Sequence, residues 1–501
     1  MMPAYTAGVC IDCTIRLTEI TVGNVKHRVI IRKCDDYNPD KIAGIVKEGM
    51  EELGATPRGK TLLKPNCVVA HPEIFPYAYT RPEFLDGIFG AVRRLGSHVT
   101  ELSAGERSGI TLPTRWCFKN AGYPEVVKKH KAKTYYFDET RQVPFNLTHE
   151  KRLRDLIFVP KPITDCDFMI NVPKFKAHPW TRLTLSLKNY IGIQDDRHRL
   201  VDHNCFLEHK IADLQEVIQP GFIAVDAITA GQKMMLTPTP YHMGAIIMGV
   251  NQCAVDTVGC CAVGVEPADL IHLRLTSERG YGPMDINEID VTGDFPLEDL
   301  RAANEGFELC MEHIDDYFRD SDKITCTVGA FPEEHSRDYC WGGCPGALQE
   351  AMHIFKGFDP DIEDRMSKIH YVVGAVEGPL KLQDGERIIF AGDCCRWEGS
   401  INGQAVKIDG DYKKTHEVST LRTKTNDMIL KIIGPVLHCF RNRSRPFIHA
   451  KGCPVSVGSH VTYVSSFAKI PNVNFDRRNI FSVNIAYWHM RAKRFLSRLF
   501  G

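Results

Sequence analysis

The strongest constraint on this chain is a rhythm. Through its first 265 residues, short runs of aliphatic and β-branched residues alternate with segments whose apolar residues recur every three or four positions. Residues 28–32 form such a run. Ile42, Ile45, Val46, Met50 and Leu53 then follow at helical spacing. Residues 61–63 are a second strand candidate. Pro82 stands at a helix start, with Phe84, Leu85, Ile88, Phe89, Val92 and Leu95 on one face. Residues 99–102, 134–137, 167–172, 221–228 and 242–249 read as further strands, and 206–218 and 254–264 as helices. This alternation predicts an α/β domain with a largely parallel sheet and flanking helices. Ligands in such folds bind beyond strand ends.

The rhythm changes near residue 300. We expect residues 1–300 to be the α/β domain and residues 300–318 a linking helix. Residues 321–466, rich in Cys and Gly, read as a smaller α+β domain with strands at 369–375, 387–391 and 461–464. Residues 467–501 form a tail. In it Ile485, Trp488, Ala492, Phe495, Leu496 and Leu499 share one helix face, while Arg491, Lys493, Arg494 and Arg498 fall elsewhere. The plainer expectation is a helix packed on its own domain. A basic amphipathic helix also suits a membrane surface or a partner.

Composition narrows the function. Lys plus Arg and Asp plus Glu number 62 each, so charge gives no argument for nucleic acid. Eighteen cysteines are spread along 501 residues, and residues 1–8 lack the charged and apolar parts of a secretory leader. Reduced thiols or metal ligands fit better than a disulfide scaffold, which implies a reducing, cytoplasmic location. The apolar window 241–265 contains Asp256 and reads as a buried strand and helix rather than a membrane span. The chain carries no G-x-G-x-x-G, H-E-x-x-H or G-x-S-x-G, which weighs against Rossmann dehydrogenases and serine hydrolases.

The densest polar stretch is N-V-P-K-F-K-A-H-P-W-T-R-L-T-L-S-L-K-N-Y-I-G at residues 171–192. It is expected to leave a buried strand and enter a loop at Pro173. Lys174, Lys176 and Lys188 suit an anionic group, and a crowded lysine can lose its proton and act as a base. His178 titrates nearest neutrality and suits proton transfer. We expect His178, Lys188 and Lys174 to be catalytic. Lys64, Asn66, Lys176, Asn189 and Asp226 are expected to bind a small-molecule substrate. Glu101, Ser103 and Asp256 also lie near strand ends, where a cap or turn explains them equally well.

A second set lies in the C-terminal half: Y-C-W-G-G-C-P-G at residues 339–346, A-G-D-C-C at 391–395 and K-G-C-P at 451–454. Cys340, Cys344, Cys394 and Cys453 are compatible with a four-iron cluster, which takes four thiolates. Structural zinc and reduced core thiols are the alternatives. Cys395 competes with Cys394 as a ligand, and Cys326 with Cys340. Cys10 and Cys13 form a lone C-x2-C that reads as neutral.

L-L-K-P-N, N-V-P-K-F-K-A-H, T-L-S-L-K-N-Y-I-G, F-I-A-V-D-A-I and A-V-D-T-V, in this order, resemble the motifs of the family catalogued as domain of unknown function 362, over roughly residues 29–282. A more distant similarity is to nickel enzymes of the lactate-racemase type. The family resemblance implies association with iron–sulfur proteins and favours a 4Fe-4S cofactor, without fixing its ligands. The ferredoxin run C-x2-C-x2-C-x3-C-P that often accompanies the family is missing. The expectation is an iron–sulfur oxidoreductase acting on a small anionic substrate, with electrons from a protein such as a ferredoxin. The alternatives are a non-redox isomerase or transferase and a non-catalytic cluster carrier.

Overall fold

The computed structural model describes residues 27–96, 98–109, 112–195, 199, 206–309, 313–333, 337–411, 445–473 and 480–499. Cys10 and Cys13 lie outside them.

The α/β rhythm is realised as one large sheet. Its strands are β1 (His27–Lys33), β2 (Gly59–Pro65), β3 (Val99–Glu106) and β4 (Lys133–Tyr136). A separate hairpin follows, β5 (Gln142–Asn146) and β6 (Leu156–Pro160). The sheet continues with β7 (Phe168–Val172), β8 (Lys174–His178), β9 (Arg182–Thr184), β10 (Phe222–Gln232), β11 (Thr239–Gly249) and β12 (Ile289–Gly293). The order is β12-β1-β11-β10-β7-β2-β3-β4, with β8 and β9 alongside β10. β10, β7, β2, β3 and β4 run parallel, and β11 is antiparallel to both its neighbours.

Strand alternation gives the sheet two apolar faces. Ala224, Ile246 and Met248 face a core with the helices Pro39–Glu52 and Pro82–Leu95, while Ile223, Val225 and Ile247 face one with Leu207–Leu214 and Gln252–Cys261. Asn38 caps the helix Pro39–Glu52 by accepting the amides of Asp40 and Lys41.

The C-terminal sheet has the order β13 (Ile324–Val328), β14 (Ile369–Ala375), β15 (Arg387–Ile401) and β16 (Gln404–Asp409), with β17 (Phe447–Ala450) also on β15. Its helix Arg337–Phe358 shares a core with the first sheet: Leu348, Met352 and Phe355 join Ile42, Phe84 and Ile88 in one cluster. Glu350 on this helix accepts the amides of Met235, Leu236 and Thr237.

Three expectations are corrected. Residues 300–318 are not one helix: Leu297–Ala303 and Ile314–Tyr317 are separate, with Gly306 between them. Residues 461–464 lie in the helix Val457–Phe467, capped by Ser456, with Val457, Val461 and Val464 buried at helical spacing. Residues 174–178 are a buried strand, not a loop. Among the described residues no helix is long and apolar enough to cross a membrane.

Candidate functional site

The segment 171–192 begins at the C-terminal end of β7, in the middle of the sheet. Pro173 interrupts the strand and β8 resumes beside β10. On a strand, residues two apart share a face, so Lys174, Lys176 and His178 point one way and Phe175 and Ala177 go into the core. All three polar residues are almost fully buried, at 0%, 2% and 3% exposure. They are not solvated charges.

Each has a defined partner. Lys174 Nζ donates to Asp226 Oδ2 and to Tyr37 Oη, both at 2.9 Å. The Tyr37 hydroxyl donates to Asp226 Oδ1 at 2.8 Å. Burial pulls the Lys174 pKa down and the Asp226 charge opposes it. Lys176 Nζ donates to the carbonyls of Ala78 (2.9 Å) and Met235 (2.8 Å). Burial holds it at about 8, against the nearby Glu350 charge. His178 Nδ1 accepts the amides of Trp180 (3.2 Å) and Thr181 (3.3 Å). In the neutral ring the proton therefore sits on Nε2.

Neighbouring strand ends add a second ion pair. Lys64 Nζ meets Glu106 Oε2 at 2.7 Å, and both are buried. Desolvation lowers the Lys64 pKa and raises that of Glu106, while each charge favours the other. Gly192 lies against this carboxylate: a β-carbon there would overlap Glu106 Oε1. The amides form a network. Asn66 donates to Asn189 Oδ1 (3.2 Å), Asn189 to Asn171 Oδ1 (2.7 Å), and Asn171 to Gln252 Oε1 (2.9 Å). Asp256 accepts the amides of Ser186 (2.8 Å) and Leu187 (3.0 Å) at the start of the short helix Ser186–Asn189. Burial still pushes Asp256 up to about 7.

Lys188, on that short helix, differs from the other lysines. It retains some solvent access although protein surrounds it. No hydrogen-bond partner holds its ammonium among the described residues. Burial, with the charges of Lys176 and Arg199, lowers it to about 7. Glu208 lies near it and is pushed up to about 7 by burial. His272 is also near, fully buried, with neither ring nitrogen partnered, and burial lowers it to about 3. Glu106, Glu208 and His272 escaped the sequence reading. Glu208 and His272 sit inside amphipathic helices, where a lone polar residue carries no distinguishing pattern.

Three of the expected cysteines lie near the fourth, Cys344. The helix Arg337–Phe358 kinks at Gly343, between Cys340 and Cys344. Cys340, Cys394 and Cys453 are all close enough to Cys344 for their charges to raise its pKa, after burial as the larger cause. A β-carbon on Gly392 would stand 3.3 Å from Cys344 Sγ and 3.5 Å from Cys394 Sγ. Cys344 Sγ accepts the Val455 amide at 3.3 Å, and Cys394 accepts that of Gly374. Strand alternation turns Cys395 to the opposite face, into a core with Phe390 and Trp397, where it donates to the Val372 carbonyl. Cys326 lies on β13, half-buried. The described residues include no group of three His, Cys, Asp or Glu placed to hold a single metal ion.

The two sites touch. A β-carbon on Gly342 would lie 2.4 Å from the Pro179 carbonyl oxygen, and one on Gly343 would lie 4.0 Å from Trp180 Nε1. Pro179 and Trp180 follow His178 directly. A cleft of about 640 Å³ lies elsewhere, lined by Arg93, Glu101, His130, Lys131 and Lys133. Its chemistry is less pointed, since Lys133 pairs with Glu101, and Lys129 and His130 with Asp86.

Fold and site together define an α/β protein with a buried lysine-rich centre at its strand ends and a cysteine-bearing C-terminal sheet and helix packed against it. Residues 61–261 match the family model described as "Domain of unknown function (DUF362)", in line with the motif resemblance over that segment. No curated protein matches the chain. Among solved structures, the lactate racemase apoprotein from Thermoanaerobacterium thermosaccharolyticum is similar over 72% of this chain and 82% of that chain, at 9% identity and a TM-score of 0.31. A likeness that distant carries no argument about function.

Proposed function

We propose that the protein is an iron–sulfur oxidoreductase acting on a small anionic substrate. In this reading Cys340, Cys344, Cys394 and Cys453 hold a four-iron cluster. The observation that carries it is the contact of Gly342 and Gly343 with Pro179 and Trp180, which sets the thiols beside the strand that bears His178. The donor set suits such a group: four cysteines, with backbone amides aimed at two of the sulfurs. Bound there, a cluster supplies or accepts single electrons.

The remaining roles belong to the chain. Lys188 and Lys176 attract the anion, since both sit in low-dielectric surroundings that strengthen a charge interaction. Lys188 and Glu208, each titrating at about 7, exchange protons with substrate at little cost. His178 carries its proton on Nε2 and is a second donor. Lys64, Lys174 and Asp226 are held in buried ion pairs, and Asn66 and Asn189 in the amide network. We assign these five to positioning the strand ends rather than to direct contact with substrate. A small electron-carrier protein such as a ferredoxin supplies the reducing equivalents.

Anaerobic reconstitution with iron and sulfide tests this reading. It predicts a brown protein with an EPR signal on reduction, lost in Cys344→Ser. A colourless protein with free thiols overturns it.

One observation favours a second reading, a non-redox isomerase or transferase. Lys188 and Glu208 lie near each other and burial brings both to about 7, which suits proton transfer that needs no electron donor. That reading predicts full activity in a folded Cys344→Ser variant without reductant.

A further inference from the structure

We propose that the tail helix Ile480–Leu499 docks this protein onto an anionic lipid surface. Phe481, Ile485, Trp488, Phe495 and Leu496 are 76%, 70%, 50%, 62% and 45% exposed. At 100° per residue they and Ala492 form one continuous stripe. Among the described residues, the other exposed large apolar ones, Leu156, Phe206, Val250 and Leu382, are at 40% or less and far apart in the chain. The stripe is therefore a patch rather than ordinary surface scatter.

The helix is fixed with this stripe outward. Ala486 and Met490 on the opposite side are buried. Ser482 Oγ accepts from Trp116 Nε1 at 3.1 Å, and Arg494 Nε donates to the Asp138 carbonyl at 2.5 Å. These contacts hold the helix against Thr114–Asn120 and stop it from rolling its apolar face inward. The helix packs on its own chain, as the plainer expectation had it, but through Ser482, Ala486 and Met490 rather than through the apolar stripe.

Charge selects the occupant. Ile480–Leu499 contains Arg491, Lys493, Arg494 and Arg498 and no Asp or Glu, in a chain whose formal net charge is zero. By helical register Lys493 and His489 border the stripe on one side and Arg491 on the other. Cations flanking an apolar stripe are the pattern of a helix lying in a bilayer interface, with its apolar side sunk roughly 5–10 Å. The stripe runs about 22 Å, at about 1.5 Å per residue. Two copies of this helix would bring like charges together, which disfavours self-pairing. With four cations it is also no membrane span.

Vesicle co-flotation of the full chain tests the proposal. The expected result is binding to phosphatidylcholine vesicles that contain phosphatidylserine and weak binding to phosphatidylcholine alone. Trp488→Ser with Phe495→Ser should abolish flotation while leaving the circular dichroism spectrum unchanged, since both positions are exposed. Lys493→Gln should weaken binding ~fivefold, on the serine-containing vesicles only. No flotation on either lipid, flotation untouched by the double substitution, or tail-dependent dimerisation in sedimentation in its place overturns the proposal. None of these results depends on the cysteine site.

Discussion

Gly342 lies so close to Pro179 that any side chain at 342 meets the Pro179 backbone, with a β-carbon 2.4 Å from its carbonyl oxygen. Backbone cannot yield as a flexible side chain does. Gly342→Ala therefore forces the cysteine-bearing helix away from the β8–β9 turn. We expect a loss of about 1–3 kcal/mol, the usual cost of overpacking, read as a lower denaturant midpoint. An unchanged midpoint would mean that the helix and the β8–β9 turn are not in rigid contact.

Lys188 should trade stability for function. Its pKa is about 7 in the folded chain and near 10.5 when unfolded, so the unfolded state binds more protons between these values. Stability of the wild type therefore rises with pH from 7 to 10.5. Lys188→Met removes the buried charge and should be more stable by roughly 2–4 kcal/mol at pH 7. The gain should vanish above pH 10.5, and turnover should be lost. Denaturation of both proteins across this pH range checks the sign.

The Lys64–Glu106 pair should behave as a structural unit. Removing one partner leaves a buried charge alone, so Glu106→Gln should cost about 3–5 kcal/mol in urea denaturation. Lys64→Met combined with Glu106→Leu should recover most of that loss. A double substitution as damaging as the two singles summed would instead mark Lys64 as needed for its own contacts.

Adjacent Cys394 and Cys395 should give opposite results. Only Cys394 faces Cys344; Cys395 lies in the core with Trp397. Cys394→Ser should lose the visible absorbance of reconstituted protein and Cys395→Ser should keep it. The reverse outcome would require β15 to slip by one residue.

Much of this arrangement was legible in the sequence. Strand-like runs at 61–63, 167–172 and 242–249 became β2, β7 and β11 because β-branched runs bounded by turn residues leave few alternatives. The lysines at 174 and 176 and His178 stand two apart, which is the spacing of one strand face. Pro173 masked this by suggesting a loop. Residues 461–464 misled for a different reason. Val and Thr favour strands, yet Ser456 caps a helix and Val457, Val461 and Val464 bury one stripe of it. Partnership across long sequence distances was not legible. Nothing near Lys64 announces Glu106, and nothing near Cys344 announces Cys453, because the sheet order that joins them is a tertiary property.

In the proposed reading Cys340, Cys344, Cys394 and Cys453 hold a four-iron cluster beside the lysine-rich centre. Iron and acid-labile sulfide in protein purified without oxygen test it most directly. The expected result is equal amounts of both, about four per chain, falling together in Cys344→Ser. Protein that contains zinc alone, or no metal with Cys340, Cys344, Cys394 and Cys453 all titrating as free thiols, would contradict it.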